Sequence, residues 1–302
     1  MVALVGCTSL GPGSQRPRVT AAQPRPAEVL PTDPLSADLV AYYSRIESER
    51  VARGLMRTDG GADLPPVSAS QLASDYIEIA LREEHARGAA GLGGSVSSEL
   101  RRWQVPVRYT MEFGPSVGRQ RRIADHAQVV QLAARLTEAS GHPISVAPLG
   151  DDNGNFHVLV LSESERRDAG DRLRALVPGI DDSAVRLITD MPRETFCMVM
   201  AFSRSNSALY TEAVAIIRAE HPDLTRLACY HEELTQGLGL ASDSARARPS
   251  IFNDDQEFAL ITPHDLMLLR MHYDRRLRPG MTESSAREMI YTLASALVAG
   301  ES

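Results

Sequence analysis

Between Leu224 and Asp243 the chain reads LTRLACYHEELTQGLGLASD, and several ionisable residues there fall at spacings that one helix face would bring together. Leu224, Leu227, Ala228, Leu234 and Leu238 recur at roughly helical spacing, which predicts one amphipathic helix from about Asp223. Pro222 precedes it, Asp223 is the expected cap, and Gly237 and Gly239 are expected to end it. Inside lies His231-Glu232-Glu233-Leu234-Thr235-Gln236. It can be set in two ways on H-E-x-x-H, the pattern in which two imidazoles one turn apart bind zinc and the glutamate is the general base. With His231 and Glu232 leading, Thr235 stands where the second imidazole should be. With Glu232 leading, Glu233 takes the base position and Gln236 the second ligand position. A third ligand then falls on Ser242, with Asp243 one residue late.

The second frame is preferred, because it sets Gly239 three residues after Gln236 and Leu240 behind it. Offsets of one and four residues put Glu232, Glu233 and Gln236 within about a 100° arc of the helix, facing one cleft. Oxygen donors without imidazole or thiolate make a poor zinc site. The expectation is therefore no cofactor, with zinc as the alternative, held by Glu232, Gln236 and Asp243. Adjacent carboxylates repel. Without a cation one of the pair should hold a proton near neutral pH, or pair with an arginine or His264. The plain alternative is a helix end with carboxylates on a solvated face.

The 302 residues are 43% hydrophobic and 24% charged, an ordinary globular composition. The net charge of -7 gives no electrostatic footprint for nucleic acid, and no apolar run is long enough to span a bilayer. Cys7 closes Leu4-Val5-Gly6-Cys7, which matches the bacterial lipobox, whose cysteine is lipidated and becomes the mature N-terminus. The few residues before it are too short for a signal peptide, so residues 1–7 are read as a truncated lipoprotein signal, with a chance match as the alternative. Export would leave Cys197 and Cys229 as a pair and permit a disulfide; buried free thiols are the other reading.

Residues 8–36 carry six prolines among Gly, Ser, Ala and Arg and are expected to be a disordered tether. Residues 37–94 should form a helical segment, with helices at 37–54 and 70–87. The main domain is expected over 95–281. Its strands are read at 103–113, 143–149, 156–161, 195–203 and 213–218, with helices at 125–140 and 169–176. Thr195 to Ser203 reads as a buried strand. Asn153-Gly154 reads as the turn of a hairpin between the second and third strands; the acidic run around it lacks calcium-loop spacing. Thr262 and Pro263 open a further helix as N-cap and N1, with His264 and His272 as polar helix residues, and residues 282–302 hold a last helix.

Glu232-Glu233-Leu234-Thr235-Gln236 with Gly239-Leu240 resembles the H-E-x-x-H-x-x-G-L run of metzincin and matrixin-like metallopeptidases. Ser250-Ile251-Phe252-Asn253 stands where that superfamily has its Met-turn, with Phe252 in place of the supporting methionine. The helix from Thr262 to Tyr273 is similar to the closing matrixin helix. Together with Arg276 to Met281, these stretches resemble the domain of unknown function 2927 family, mostly putative bacterial lipoproteins, over roughly Leu72 to Met281. The resemblance implies an α+β, zincin-like domain with a mixed sheet packed on a central helix; it implies nothing about substrate.

Two functions compete. One is a lipid-anchored protein on the periplasmic side of the bacterial envelope whose degenerate zincin groove binds an extended peptide or cell-wall component along an exposed strand edge. The other is an active metal-dependent peptidase with Glu233 as general base. With no pair of histidines on the helix, the first leads.

Overall fold

A computed structural model describes residues 34–61, 64–83, 96–204, 207–253 and 257–300. Cys7 and most of the proline-rich stretch lie outside them. The first helix, α1 (Pro34–Ala52), begins within the last residues assigned to the tether, and Ser36 is already buried, donating to Glu220. Then come α2 (Ala69–Ala80), the short pair β1 (Arg82–Glu83) and β2 (Val96–Ser97), β3 (Val107–Phe113), α3 (Arg119–Ser140), β4 (Ile144–Val146) and β5 (Phe156–Leu161). Three short helices follow: α4 (Glu163–Arg167), α5 (Gly170–Leu176) and α6 (Asp182–Thr189). The chain continues with β6 (Cys197–Ser203), β7 (Tyr210–Arg218), α7 (Asp223–Gln236), α8 (Pro263–Tyr273) and α9 (Glu283–Ala299).

The main sheet has the order β4-β3-β5-β7-β6. Its first four strands run parallel, and β6 joins β7 antiparallel at the margin. Alternate residues serve opposite faces. Tyr109, Met111, Phe156, Val158, Ala213 and Ala215 face one core with α3 and α7. Leu159, Leu161, Val214 and Ile216 face a second core filled by Leu173, Val185 and Ile188 of α5 and α6. Burial on both faces explains why β5 and β7 read as near-continuous apolar runs. It also explains the helices α4 and α6, which the sequence reading passed over. Both carry sequence start signals, a Ser162/Glu165 capping box and an Asp181 N-cap, and α6 supplies the lid of the second core.

Four expectations are corrected. The Asn153-Gly154 turn does not join a hairpin: β4 and β5 each pair in parallel with β3, which lies between them. Residues 147–155 instead fold over the start of β3, where Asn155 accepts from Arg108 N–H and donates to Pro106, and Asp151 pairs with Arg108. The strand read from Trp103 begins only at Val107, since Pro106 has no N–H to give a ladder. The second helix stops at Ala80 because Arg82 and Glu83 leave it to pair with β2. Finally β6 is the half-buried edge strand, not a buried one.

The remaining helices close the back of the first core. α2 packs against α8 and α9, and its Leu72, Tyr76 and Ile79 join the same cluster as the sheet. α8 opens with Thr262 as N-cap, Pro263 at N1 and a capping box with Asp265, as read from the sequence. Asp265 also accepts from Ser250 Oγ and Ile251 N–H, which ties the 250–253 turn to α8. Cys197 and Cys229 form a disulfide with an S–S distance of 2.00 Å, fastening the edge strand to α7.

Candidate functional site

α7 is held at both ends by side chains from elsewhere. Pro222 occupies its N-cap and offers no side-chain acceptor, so Asp223 is not the cap; it pairs instead with Arg121 and Arg226. The free N–H of Thr225, together with its hydroxyl, donates to Glu47 of α1 at 2.7 Å. At the other end, helix carbonyls lack partners within the helix. Tyr109 donates to Leu234 O at 3.0 Å, Trp103 Nε1 to Gly237 O at 2.8 Å, and Tyr273 to Leu238 O at 3.0 Å. Three aromatic residues thus stand in for the missing turn and fix the rotation of α7 about its axis. Both terminal glycines are required by contact. A Cβ on Gly237 would lie 2.4 Å from the Phe156 ring; one on Gly239, at φ +126°, would lie 2.2 Å from His272 Nε2.

That rotation sends both ligand positions of the His231-led frame, His231 and Thr235, into the core, while its Glu232 is shared with the other frame. His231 points into the core, where its Nδ1 accepts from the Ile261 N–H at 2.9 Å. Burial, and secondarily the Arg135 charge, push its pKa down to about 4, so it is neutral. Thr235 is fully buried and donates to His231 O. Both ligand positions of the His231-led frame therefore face the core.

The Glu232-led residues come together. Glu232 borders a small cavity of about 20 Å³, room for a water, walled by Ile46 and Arg50 of α1, Phe196, Cys197 and Phe258. Glu233 is only 3% exposed, and its Oε2 has no hydrogen-bond partner among the described residues. Burial, then the charges of Glu232 and Asp243, hold its carboxyl well above the usual carboxylate range. Gln236 donates through Nε2 to Asp243 Oδ1 at 2.7 Å. Asp243, one residue late for the third ligand position, is thus the residue that returns to the site, while Ser242 turns away to donate to Arg82 O. Phe252 is fully buried, and its turn is pinned by the Phe252 N–H to Ser250 Oγ bond and by Asp265. His264 pairs with Asp75, and His272 with Tyr76, so neither histidine serves the carboxyl pair.

The arrangement does not fit a catalytic zinc held by Glu232, Gln236 and Asp243. Among the described residues no imidazole faces the site, Asp243 Oδ1 is taken up by the Gln236 amide, and Glu233 is nearly sealed from solvent. One neighbour was missed from sequence. Cys197 Sγ and one carboxylate oxygen from each of Glu232 and Glu233 lie within 4.8 Å of one another. The signal was the spacing of Cys229, three and four residues before the two glutamates, which puts its disulfide partner beside them.

No curated protein and no solved structure matches this chain. Residues 69–292, from the start of α2 into α9, match the family model described as protein of unknown function (DUF2927), and the chain belongs to that family.

Proposed function

We propose that this is an exported, lipid-anchored envelope protein with a zincin-like fold, and that it binds an extended peptide or cell-wall component without cleaving it. The observation that carries the reading is the position of β6. It lies at the sheet margin, pairs with β7 alone among the described residues, and is half-buried along its whole length. Such an edge offers backbone N–H and C=O groups to an added strand. Its first residue, Cys197, adjoins Glu232, so a peptide laid along β6 would run toward the helix carboxylates. The Cys197–Cys229 disulfide supports an oxidising compartment outside the cytoplasm, in keeping with a lipidated Cys7.

Hydrolysis is disfavoured by the state of Glu233. A general base must be ionised and within reach of the water it activates. Burial, then the charges of Glu232 and Asp243, raise the Glu233 carboxyl well above the usual carboxylate range, which favours the protonated form, and the side chain is nearly sealed from solvent. The test is a peptide and muropeptide cleavage assay, with and without added zinc, on the wild type and Glu233→Ala. No cleavage in any arm is expected. Cleavage by the wild type that is lost in Glu233→Ala would replace this reading with the metal-dependent peptidase.

A further inference from the structure

The disulfide and the carboxyl pair meet at one point, and strand addition along β6 makes no use of that meeting. Cys229, Glu232 and Glu233 occupy i, i+3 and i+4 of α7 and so share one face, while Cys197 arrives from the edge strand. Three donor atoms, Cys197 Sγ and an oxygen of each glutamate, already sit within 4.8 Å of one another. Glu233 has a buried oxygen with no hydrogen-bond partner among the described residues, and a buried orphan of this kind in a carboxyl cluster points to an absent ligand. As drawn, the sulfur cannot serve: a disulfide sulfur bears no charge, and metals bind the thiolate.

We propose that the Cys197–Cys229 disulfide masks a divalent-cation site, and that its reduction by a dithiol produces a thiolate–carboxylate set of Cys197, Glu232 and Glu233 for a borderline cation such as zinc or cobalt(II). The reduction proceeds by exchange. A thiolate of the dithiol attacks the Sγ of Cys197, a half-buried residue, while Cys229, at 2% exposure, is shielded. Cys229 leaves as thiolate and takes a proton. The second thiol of the dithiol then attacks the mixed disulfide, departs as a cyclic disulfide and frees Cys197. Two electrons and two protons have passed from the dithiol to the protein. Cation binding converts the Cys197 thiol to thiolate and the Glu233 carboxyl to carboxylate, releasing a proton from each. Metal–sulfur and metal–oxygen bonds of about 2.3 and 2.1 Å place donors roughly 3.5 Å apart, so no pair of the three atoms need draw in by more than about 1.3 Å. Loss of the S–S bond frees Cys197 for that movement, and Cys229 is not one of the three donors. The thiolate selects zinc or cobalt over magnesium or calcium.

The test is a cobalt(II) titration followed by the near-ultraviolet thiolate-to-cobalt charge-transfer band and by proton release. The oxidised protein should show no band. Cys229→Ala, which leaves Cys197 as a thiol without added reductant, should bind one equivalent with the band present. Adding Cys197→Ser should abolish the band. Adding Glu233→Gln should weaken binding by about tenfold or more, since even the loss of outer-shell partners costs that much. A Cys229→Ala protein with native far-ultraviolet dichroism and no band would overturn the proposal. So would affinity unchanged by Glu233→Gln, because the cation would then be held without the carboxyl pair. If Cys229→Ala fails to fold, the same titration on dithiol-reduced wild-type protein decides by the same outcomes. Peptide binding by the oxidised protein is a separate measurement, so either claim can fail alone.

Discussion

Glu233→Gln is the substitution that reads the carboxyl site most cleanly, because it keeps the shape of the side chain and removes its charge. In the unfolded chain Glu233 ionises at an ordinary value near 4.3. In the folded protein burial, Glu232 and Asp243 hold it protonated well above that. The sign follows from which state binds more protons. Below the ordinary value both states hold the proton, and the full stabilisation is present. As pH rises, the unfolded state releases the proton while the native state keeps it, so stability is lost until the native group ionises too. The loss runs at up to about 1.4 kcal/mol per pH unit, a tenfold change in the folded-to-unfolded ratio. Urea unfolding of both proteins across about pH 4 to 8 measures it. Asp125 and Glu220, also raised chiefly by burial, titrate in both proteins and cancel in the difference. The account expects the curves to be closest near about pH 4, with the wild type falling away from the variant as pH rises. Parallel curves across that range would refute the claim that Glu233 is buried and protonated.

Three further outcomes follow from other contacts. Cys229→Ala opens a loop spanning a sequence separation of 32, which should cost roughly 3–4 kcal/mol of stability; an unchanged urea midpoint would show that the bridge is not formed. Gly239→Ala must fit a Cβ at φ +126° against His272 Nε2 and the Arg101 carbonyl, and should lower stability by more than about 1 kcal/mol in thermal unfolding; a neutral result would place that turn elsewhere. Cys7→Ser should move the protein from the membrane fraction to the soluble one, and unchanged partitioning would remove the lipid anchor from the proposal.

What the sequence made legible was local. β5 matches its apolar run over Phe156–Leu161, and α8 begins where Thr262, Pro263 and Asp265 announce it. α7 follows from its leucine spacing, and the pairing of Cys197 with Cys229 from export and elimination. What escaped was set by distant partners. Asn153-Gly154 has the chemistry of a hairpin turn, yet β3 stands between the strands it joins, and parallel pairing leaves no short-range signature. The apolar run of β6 suggested a central strand. Its Met198, Met200 and Phe202 instead cover the second core from the sheet edge. At the site, helix arithmetic grouped Glu232, Glu233 and Gln236. It could not show that the chain doubles back after Gly239 to bring Asp243 onto Gln236, nor that Glu47 of α1 caps the helix.

The central claim, that β6 accepts an extended ligand which is then left intact, is tested most directly by hydrogen exchange on the oxidised protein with candidate peptides and muropeptides, the ligand mass being read from the same samples. The account predicts added protection concentrated in residues 197–203, with the ligand recovered uncut. Protection confined to other elements, or a cleaved ligand, would contradict it.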